Sequence, residues 1–410
     1  MIKLSLAKTW QRRLHLTGMW VNSLGGGAYN IALPLIVLQT SGSLAQMSIV
    51  AVASQLPKAF PGVLIGGLAD RMSPRTMTHI GYWGQALVVA AMALLIGPWH
   101  TPFWVLVLGA FLRGSLDMFA RTATFVAIPK MYGEGTAKFN ASVSTAWTSA
   151  SIVGPAIGGA LSAVWGPWWL LAVDAVSFTV IAMIMNFLPW PDRPTRQPDR
   201  PGFFKDLSAG YRRLSQVNGW WRFAGTVVLI GFLSAPLSTL AIFQTSVGLG
   251  GSTTEVGIVG AAAAAGLFCG SILSGLVSAW QPNLLMQRSS WLMAGGALLF
   301  FIPSWIAVAG ALFVVCTGGI AWTIGRTSLI HQQIPASDLG KTMTAVQFLE
   351  TVSSPLSLAV ATFLMGVSSF MAFASILLAA LLSGVLAIKS GSMLKPGELQ
   401  AEDKESEPVH

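Results

Sequence analysis

Apolar runs of about twenty residues recur along almost the whole chain, and no other feature restricts its folding so strongly. A membrane-crossing helix needs ~20 apolar residues, since each rises ~1.5 Å through a ~30 Å hydrocarbon core. Twelve such runs are read, at 14–39, 45–69, 76–97, 102–122, 140–163, 168–189, 220–245, 254–279, 285–303, 306–327, 341–365 and 368–389. Charged residues make up only 10% of the 410 residues, against roughly 25% in water-soluble chains. A soluble enzyme, a disordered chain and a fibrous chain are excluded on that ground. In lipid, each backbone polar group must pair within its own segment, so the runs are expected to be helices. Pro34, Pro57, Pro61, Pro155, Pro236 and Pro355 lie inside them, which membrane helices tolerate because neighbours re-satisfy the freed groups. The expected class is an all-α membrane protein.

The net charge of +9 comes from 24 basic and 15 acidic residues. The basic residues lie between the runs, which reads as membrane topology and not as a nucleic-acid surface. They cluster before run 1 (Lys3, Lys8, Arg12, Arg13), after run 2 (Arg71, Arg75) and between runs 4 and 5 (Arg121, Lys130, Lys138). The central link carries Arg193, Arg196, Arg200, Lys205, Arg212, Arg213 and Arg222, and Arg288, Arg326, Lys341 and Lys389 continue the series. The alternate loops carry none, so both termini are expected to be cytoplasmic. Trp99, Trp104, Trp165, Trp168, Trp169, Trp190, Trp220, Trp221 and Trp280 sit at run ends and read as an interfacial belt. Cys269 and Cys316 lie inside runs, which fits neither a disulfide framework nor a metal cluster. The first apolar run is too long for the core of a cleavable signal peptide.

Residues 190–218 split the chain into six runs plus six. This link is rich in Pro and Arg, then places Phe203, Leu207, Tyr211 and Leu214 at helical spacing, as an amphipathic surface helix would. The halves resemble each other. Arg121-Thr122, Ile128-Pro129, Lys138 and Pro155 recur in order as Arg326-Thr327, Ile334-Pro335, Lys341 and Pro355. The expected organisation is a bundle at 1–189, a cytoplasmic linker at 190–218, a second bundle at 219–390 and a disordered acidic tail at 391–410. Two repeated six-helix bundles are an architecture for alternating access, with a substrate site near the midplane.

Gly66-Gly67-Leu68-Ala69-Asp70-Arg71-Met72-Ser73-Pro74-Arg75 stands between runs 2 and 3. It resembles the signature of the major facilitator superfamily, with Ser73 and Pro74 departing from the usual Gly and basic residue. The resemblance covers about residues 10–390. It implies the twelve-helix, two-bundle major facilitator fold and a gate at Gly66, Asp70, Arg71 and Arg75. Asp70 would latch the cytoplasmic side near Asp338 to Lys341. A narrower resemblance points to the efflux branch that includes macrolide exporters and the enterobactin exporter. It rests on Ser23-Leu24-Gly25, Ile31 to Pro34, Thr40 to Ser43, Ile128-Pro129, Asn140, Gly154-Pro155-x-x-Gly158-Gly159 and Asp174-x-x-Ser177-Phe178. That branch often has an Asp where this chain has Gly26. Gly154, Pro155, Gly158, Gly159 and Pro355 are read as packing or hinge positions.

An ionisable side chain inside the membrane is costly, so each one is a functional candidate. Lys58 and Glu350 lie at similar depths, ~18 Å and ~14 Å from the ends of runs 2 and 11. The resemblance brings those runs together, and a Lys58–Glu350 pair is expected to form in one state and break in the other. The alternative is that Lys58 reaches water and Glu350 caps a neighbour. Arg113 and Asp117 share a helix face at i, i+4 and read as a local pair. The resemblance implies instead a coupling role for Arg113. Glu350 is preferred to Asp117 as proton carrier, because Arg113 would hold Asp117 ionised. Asp174 is read as structural. Asn22 and Asn30 either meet substrate or bond neighbouring helices.

There is no H-E-x-x-H, G-x-S-x-G or Walker sequence, so neither an enzyme nor an ATP-driven pump is expected, and no cofactor. The resulting expectation is a monomeric, proton-coupled exporter in a bacterial inner membrane, acting on a hydrophobic or amphiphilic small molecule. Uptake, lysophospholipid translocation and a transport-dead sensor or scaffold are the alternatives. Asp70, Arg71 and Glu350 argue against the last, since a dead relative needs no gate or coupling charges.

Overall fold

A chain that must satisfy its backbone within lipid folds as helices, and the computed structural model has them throughout. It describes residues 2–59, 72–96, 102–133, 136–190, 203–216, 219–276, 281–334 and 338–390. No strand occurs among them. The helices are α1 (Ile2–Ser41), α2 (Leu44–Ala59), α3 (Pro74–Ile96), α4 (Phe103–Tyr132), α5 (Thr136–Trp165), α6 (Trp168–Met185) and α7 (Phe203–Ser215). They continue with α8 (Trp220–Phe243), α9 (Thr253–Leu276), α10 (Pro282–Ala297), α11 (Trp305–Gln333), α12 (Leu339–Val367) and α13 (Ser369–Ser390). Among the described residues, nine helices are long and apolar enough to cross a membrane. Exposed Leu87, Leu94, Leu108, Val176, Phe363 and Phe370 suit an exterior facing lipid.

Some helix ends depart from the apolar runs. α1 begins at Ile2, so the basic segment before run 1 is helical as well. α11 continues to Gln333, which turns Arg326 from an expected loop charge into a buried helix residue. Ser73 and Pro74, the departures from the family signature, have a local reason. The Ser73 hydroxyl accepts the Thr76 N–H at 3.1 Å, which makes Ser73 a cap with Pro74 in the first turn of α3. At α9, the Glu255 carboxylate takes the Ser252 N–H at 2.6 Å and the Ser252 hydroxyl takes the Glu255 N–H at 3.3 Å. That reciprocal capping box accounts for Glu255. Trp104, Trp165, Trp169 and Trp221 are exposed, as a belt requires, but Trp190 is buried and donates to the Met185 carbonyl at 2.7 Å. The bond takes up the carbonyl of the last residue of α6, so the indole turns inward and caps that helix.

The chain forms two compact units, Met1–Arg200 with Ile242–Ala264 and Pro201–Ala241 with Ala265–His410. In the first, α1 packs on α5 and α6, α3 on α4 and α6, and α2 on α4. The glycines of α1 cause no break. A side-chain atom on Gly154 would press on the Gly27 backbone at 2.9 Å, and one on Gly158 on Ala28 at 3.2 Å. Gly159 turns the other way, against Gly257 and the Thr253 carbonyl of α9. Three of the expected packing positions thus bring helices to backbone contact. In the second unit α10 packs on α11 and α13, repeating the α3–α4 and α3–α6 scheme. α12 packs on α13 and on the linker helix α7.

Candidate functional site

Each unit carries a buried arginine–carboxylate pair, and neither joins the residues expected from helical spacing. In the first unit Arg113 of α4 donates to Asp174 Oδ2 of α6, from Nε at 3.2 Å and from an Nη at 3.1 Å. The Asp174 side chain is fully enclosed. The guanidinium also lies 3.8 Å from the Tyr29 ring centre on α1 and 5.2 Å from that of Phe178 on α6. Arg113 therefore does not form the expected i, i+4 pair with Asp117. A fully enclosed carboxylate such as Asp174 needs a counter-charge more than the partly exposed Asp117 does. Asp117 pairs with Arg121, one turn further on, at 2.7 Å.

Glycine creates this cluster. A side chain at Gly25 would collide with Ser177 and come within 3.0 Å of Asp174 Oδ1, so α1 reaches α6 only because Gly25 has none. Two buried atoms stay without a hydrogen-bond partner among the described residues, Asp174 Oδ1 and the Tyr29 hydroxyl. The Ser177 hydroxyl donates to the Asp174 backbone carbonyl at 2.8 Å.

In the second unit Arg326 of α11 donates to Glu350 of α12 at 2.5 Å. Its guanidinium lies 5.6 Å from the Trp322 ring centre. Arg326 is nearly enclosed, while a quarter of the Glu350 side chain stays open. α8 approaches α12 at this level: Gly231 lies against the Glu350 backbone, and the Ser357 hydroxyl donates to the Phe232 carbonyl. Pro355 is half-buried on α12. Glu350, expected opposite Lys58, thus has a partner on the adjacent helix. Lys58 lies in α2, and its side chain is outside the described ones, as is that of Pro155.

The other candidates are scattered. Asn22 is half-buried, with Oδ1 lacking a partner among the described residues, and Asn30 is exposed on α1. Gly66, Asp70 and Arg71 lie outside the described residues, and Arg75 is exposed in the first turn of α3. At the expected latch point, Asp338 pairs with Arg213 of α7 at 3.5 Å and with Lys341 at 3.6 Å. Gly210 seats α7 against the Lys341 carbonyl, and Leu207 and Leu214 are buried. The amphipathic linker helix is thus docked on the start of α12.

Sequence reasoning overlooked Tyr29, Arg326 and His15. His15 is buried, with Nδ1 2.9 Å from the Tyr132 hydroxyl and its ring 4.9 Å from Phe139. The run of Gly25, Gly26 and Gly27 beside Tyr29 was the available signal for the first cluster.

Comparison with known proteins fits this architecture. Macrolide efflux protein A of Streptococcus pyogenes is 23% identical over 353 residues, covering 83% of this chain and 86% of that protein. Enterobactin exporter EntS of Shigella boydii serotype 18 is 28% identical over 365 residues, covering 83% and 82%. The solved inward-facing structure of a bacterial homologue of the iron transporter ferroportin matches with a TM-score of 0.75 at 15% identity, over 94% of this chain and 99% of that one. The nucleoside transporter NupG matches with a TM-score of 0.72 at 12% identity, over 94% and 100%. The family model of the Major Facilitator Superfamily matches residues 16–358, and the chain belongs to that superfamily of multi-pass membrane transporters.

Proposed function

We propose that this transporter exports a hydrophobic or amphiphilic small molecule in exchange for protons. It does so as a monomer with twelve spans, with both termini on the cytoplasmic side of a bacterial inner membrane. The observation that carries the reading is the likeness to macrolide and enterobactin exporters over four-fifths of the chain. Geometry supports it. The described membrane-depth charges are largely paired off, as Arg113–Asp174 and Arg326–Glu350, which leaves few free charges to select a highly charged substrate. Glu350, the more open carboxylate, is the proton carrier of the second unit, and in the first unit Asn22 and Asn30 on α1 meet the substrate. Lys58, Arg113 and Asp117 are further coupling residues of the first unit. Gly66, Asp70, Arg71 and Arg75 form the cytoplasmic gate, and Gly154, Pro155, Gly158, Gly159 and Pro355 are its packing and hinge points.

Expression in a bacterium stripped of its own exporters tests this, with growth inhibition measured across macrolides, dyes and siderophores. Resistance that is lost in Asp70→Ala and when a protonophore is added supports proton-coupled export. Asp70-dependent sensitisation replaces export by uptake. No change for any compound, with the protein in the membrane, overturns the exporter reading and leaves lipid translocation or a non-transport role.

A further inference from the structure

Of the three consecutive glycines of α1, two are taken up by packing and one is not. Gly25 lies against Ser177 and Gly27 against Gly154, whereas a side-chain atom on Gly26 would meet only Arg113 Nη2, at 3.8 Å. Close helix contact requires the first two to be bare, but no neighbouring helix requires a bare Gly26. Its missing side chain instead leaves a bay beside the guanidinium. Asn22 and Asn30 stand one turn to either side on the same stripe of α1, so the bay and its flanks extend ~12 Å along the helix. Asn30 is exposed. Asn22 is half-buried and its Oδ1 lacks a partner among the described residues, so turning that amide toward the bay gives up no bond at that atom.

The floor of the bay is held in place before any ligand arrives. The Tyr29 ring backs the guanidinium at 3.8 Å, and Asp174 takes Nε and Nη2. Those bonds use two of the five N–H donors of an arginine, and the Arg113 side chain keeps 17% exposure. Its charge is already balanced by Asp174. A ligand carboxylate would lie close to that enclosed anion with no cation left to balance it. An uncharged carbonyl oxygen accepts a spare N–H and leaves the balance intact.

Resting on the export reading above, we infer that Gly26 is a specificity-determining residue, whose bay selects an uncharged amphiphile by a carbonyl oxygen held by Arg113 between Asn22 and Asn30. The chemical class is an ester, lactone or amide on an apolar body.

Three probes with one ring system separate the acceptor from the apolar body: pyrenebutyric acid methyl ester, the pyrenebutyrate anion and butylpyrene. Each is titrated into the full-length protein in phosphatidylcholine nanodiscs, and binding above that to protein-free nanodiscs is read by fluorescence anisotropy. The wild type should take the ester at least about tenfold more tightly than either other probe, the worth of one hydrogen bond from a charged donor. Gly26→Val closes the bay and should remove that preference while leaving butylpyrene binding unchanged. Gly26→Asp occupies the spare N–H groups from α1 and should do the same. If neither variant folds, Asn30→Ala removes an exposed flank and should weaken the ester about fivefold, again sparing butylpyrene. An ester that binds no better than butylpyrene or than the anion overturns the assignment, as does an ester preference that survives Gly26→Val. Ester-selective binding without export of any panel compound from cells leaves the bay standing and overturns the export reading instead.

Discussion

In the first half of the molecule Arg113 reaches Asp174 across α4 and α6, and the carboxylate is wholly enclosed. In the second half Arg326 reaches Glu350 across α11 and α12, and a quarter of the carboxylate side chain remains open. The repeat aligns Arg326 with Arg121, not with Arg113. Among the described residues the exposed Arg121 pairs with Asp117 of its own helix. The two halves share the α3–α4 and α10–α11 packing, while their ion pairs lie on different helices. An enclosed pair has its worth set by desolvation, and an open one has it set by what else can approach. Removing one partner is therefore costlier at the enclosed pair than at the open one.

The largest effect expected from breaking this contrast is on the sealed pair. Arg113→Ala leaves the Asp174 charge buried without a partner and should cost about 3–5 kcal/mol. Thermal unfolding of the purified protein reads this, and Arg113→Ala/Asp174→Ala should recover part of the loss. At the open pair, Arg326→Ala leaves the quarter-exposed Glu350 and should cost less, roughly 1.5–3 kcal/mol, because water can reach that carboxylate. An equal or larger loss there would erase the distinction between the two. Gly25→Ala forces α1 away from Ser177 and Asp174 and should cost about 1–3 kcal/mol through overpacking. The same change at Gly26, where a side-chain atom would meet nothing nearer than Arg113 at 3.8 Å, should be nearly silent. Asp117→Asn is the smallest perturbation, about 0.3–0.5 kcal/mol for an exposed i, i+4 pair. Its loss of stability should vanish in high salt.

The architecture was legible because lipid permits so few solutions. Apolar runs, loop charges and the amphipathic pattern over 203–214 are all read along one dimension, and α7 lies where the spacing put it. The ion pairs were not legible for the same reason. Helical periodicity identifies Asp117 and Arg121 as neighbours on α4, but it does not say which other helix faces Arg113. That was decided by Gly25, whose missing side chain lets α6 come close enough to offer Asp174. Arg326 was counted with the loop charges because it lies next to the end of run 306–327, whereas its helix continues to Gln333. The polar last turns of α11 are held by tertiary packing, with Leu329, Ile330 and Ile334 buried. The gate motif was the clearest signal in the sequence, yet Gly66, Asp70 and Arg71 lie outside the described residues.

The docked linker helix changes where this protein can be cut. The link between α6 and α8 spans 190–218, but Gly210 and Arg213 fasten α7 to the start of α12. α7 thus belongs to the second unit and not to the stretch 191–202 that precedes it in the sequence. A gene divided within that stretch, with α7 kept at the head of the second fragment, should yield two polypeptides that reassemble. A division after α7 would strip the second fragment of its brace and leave Leu207 and Leu214 bare in water.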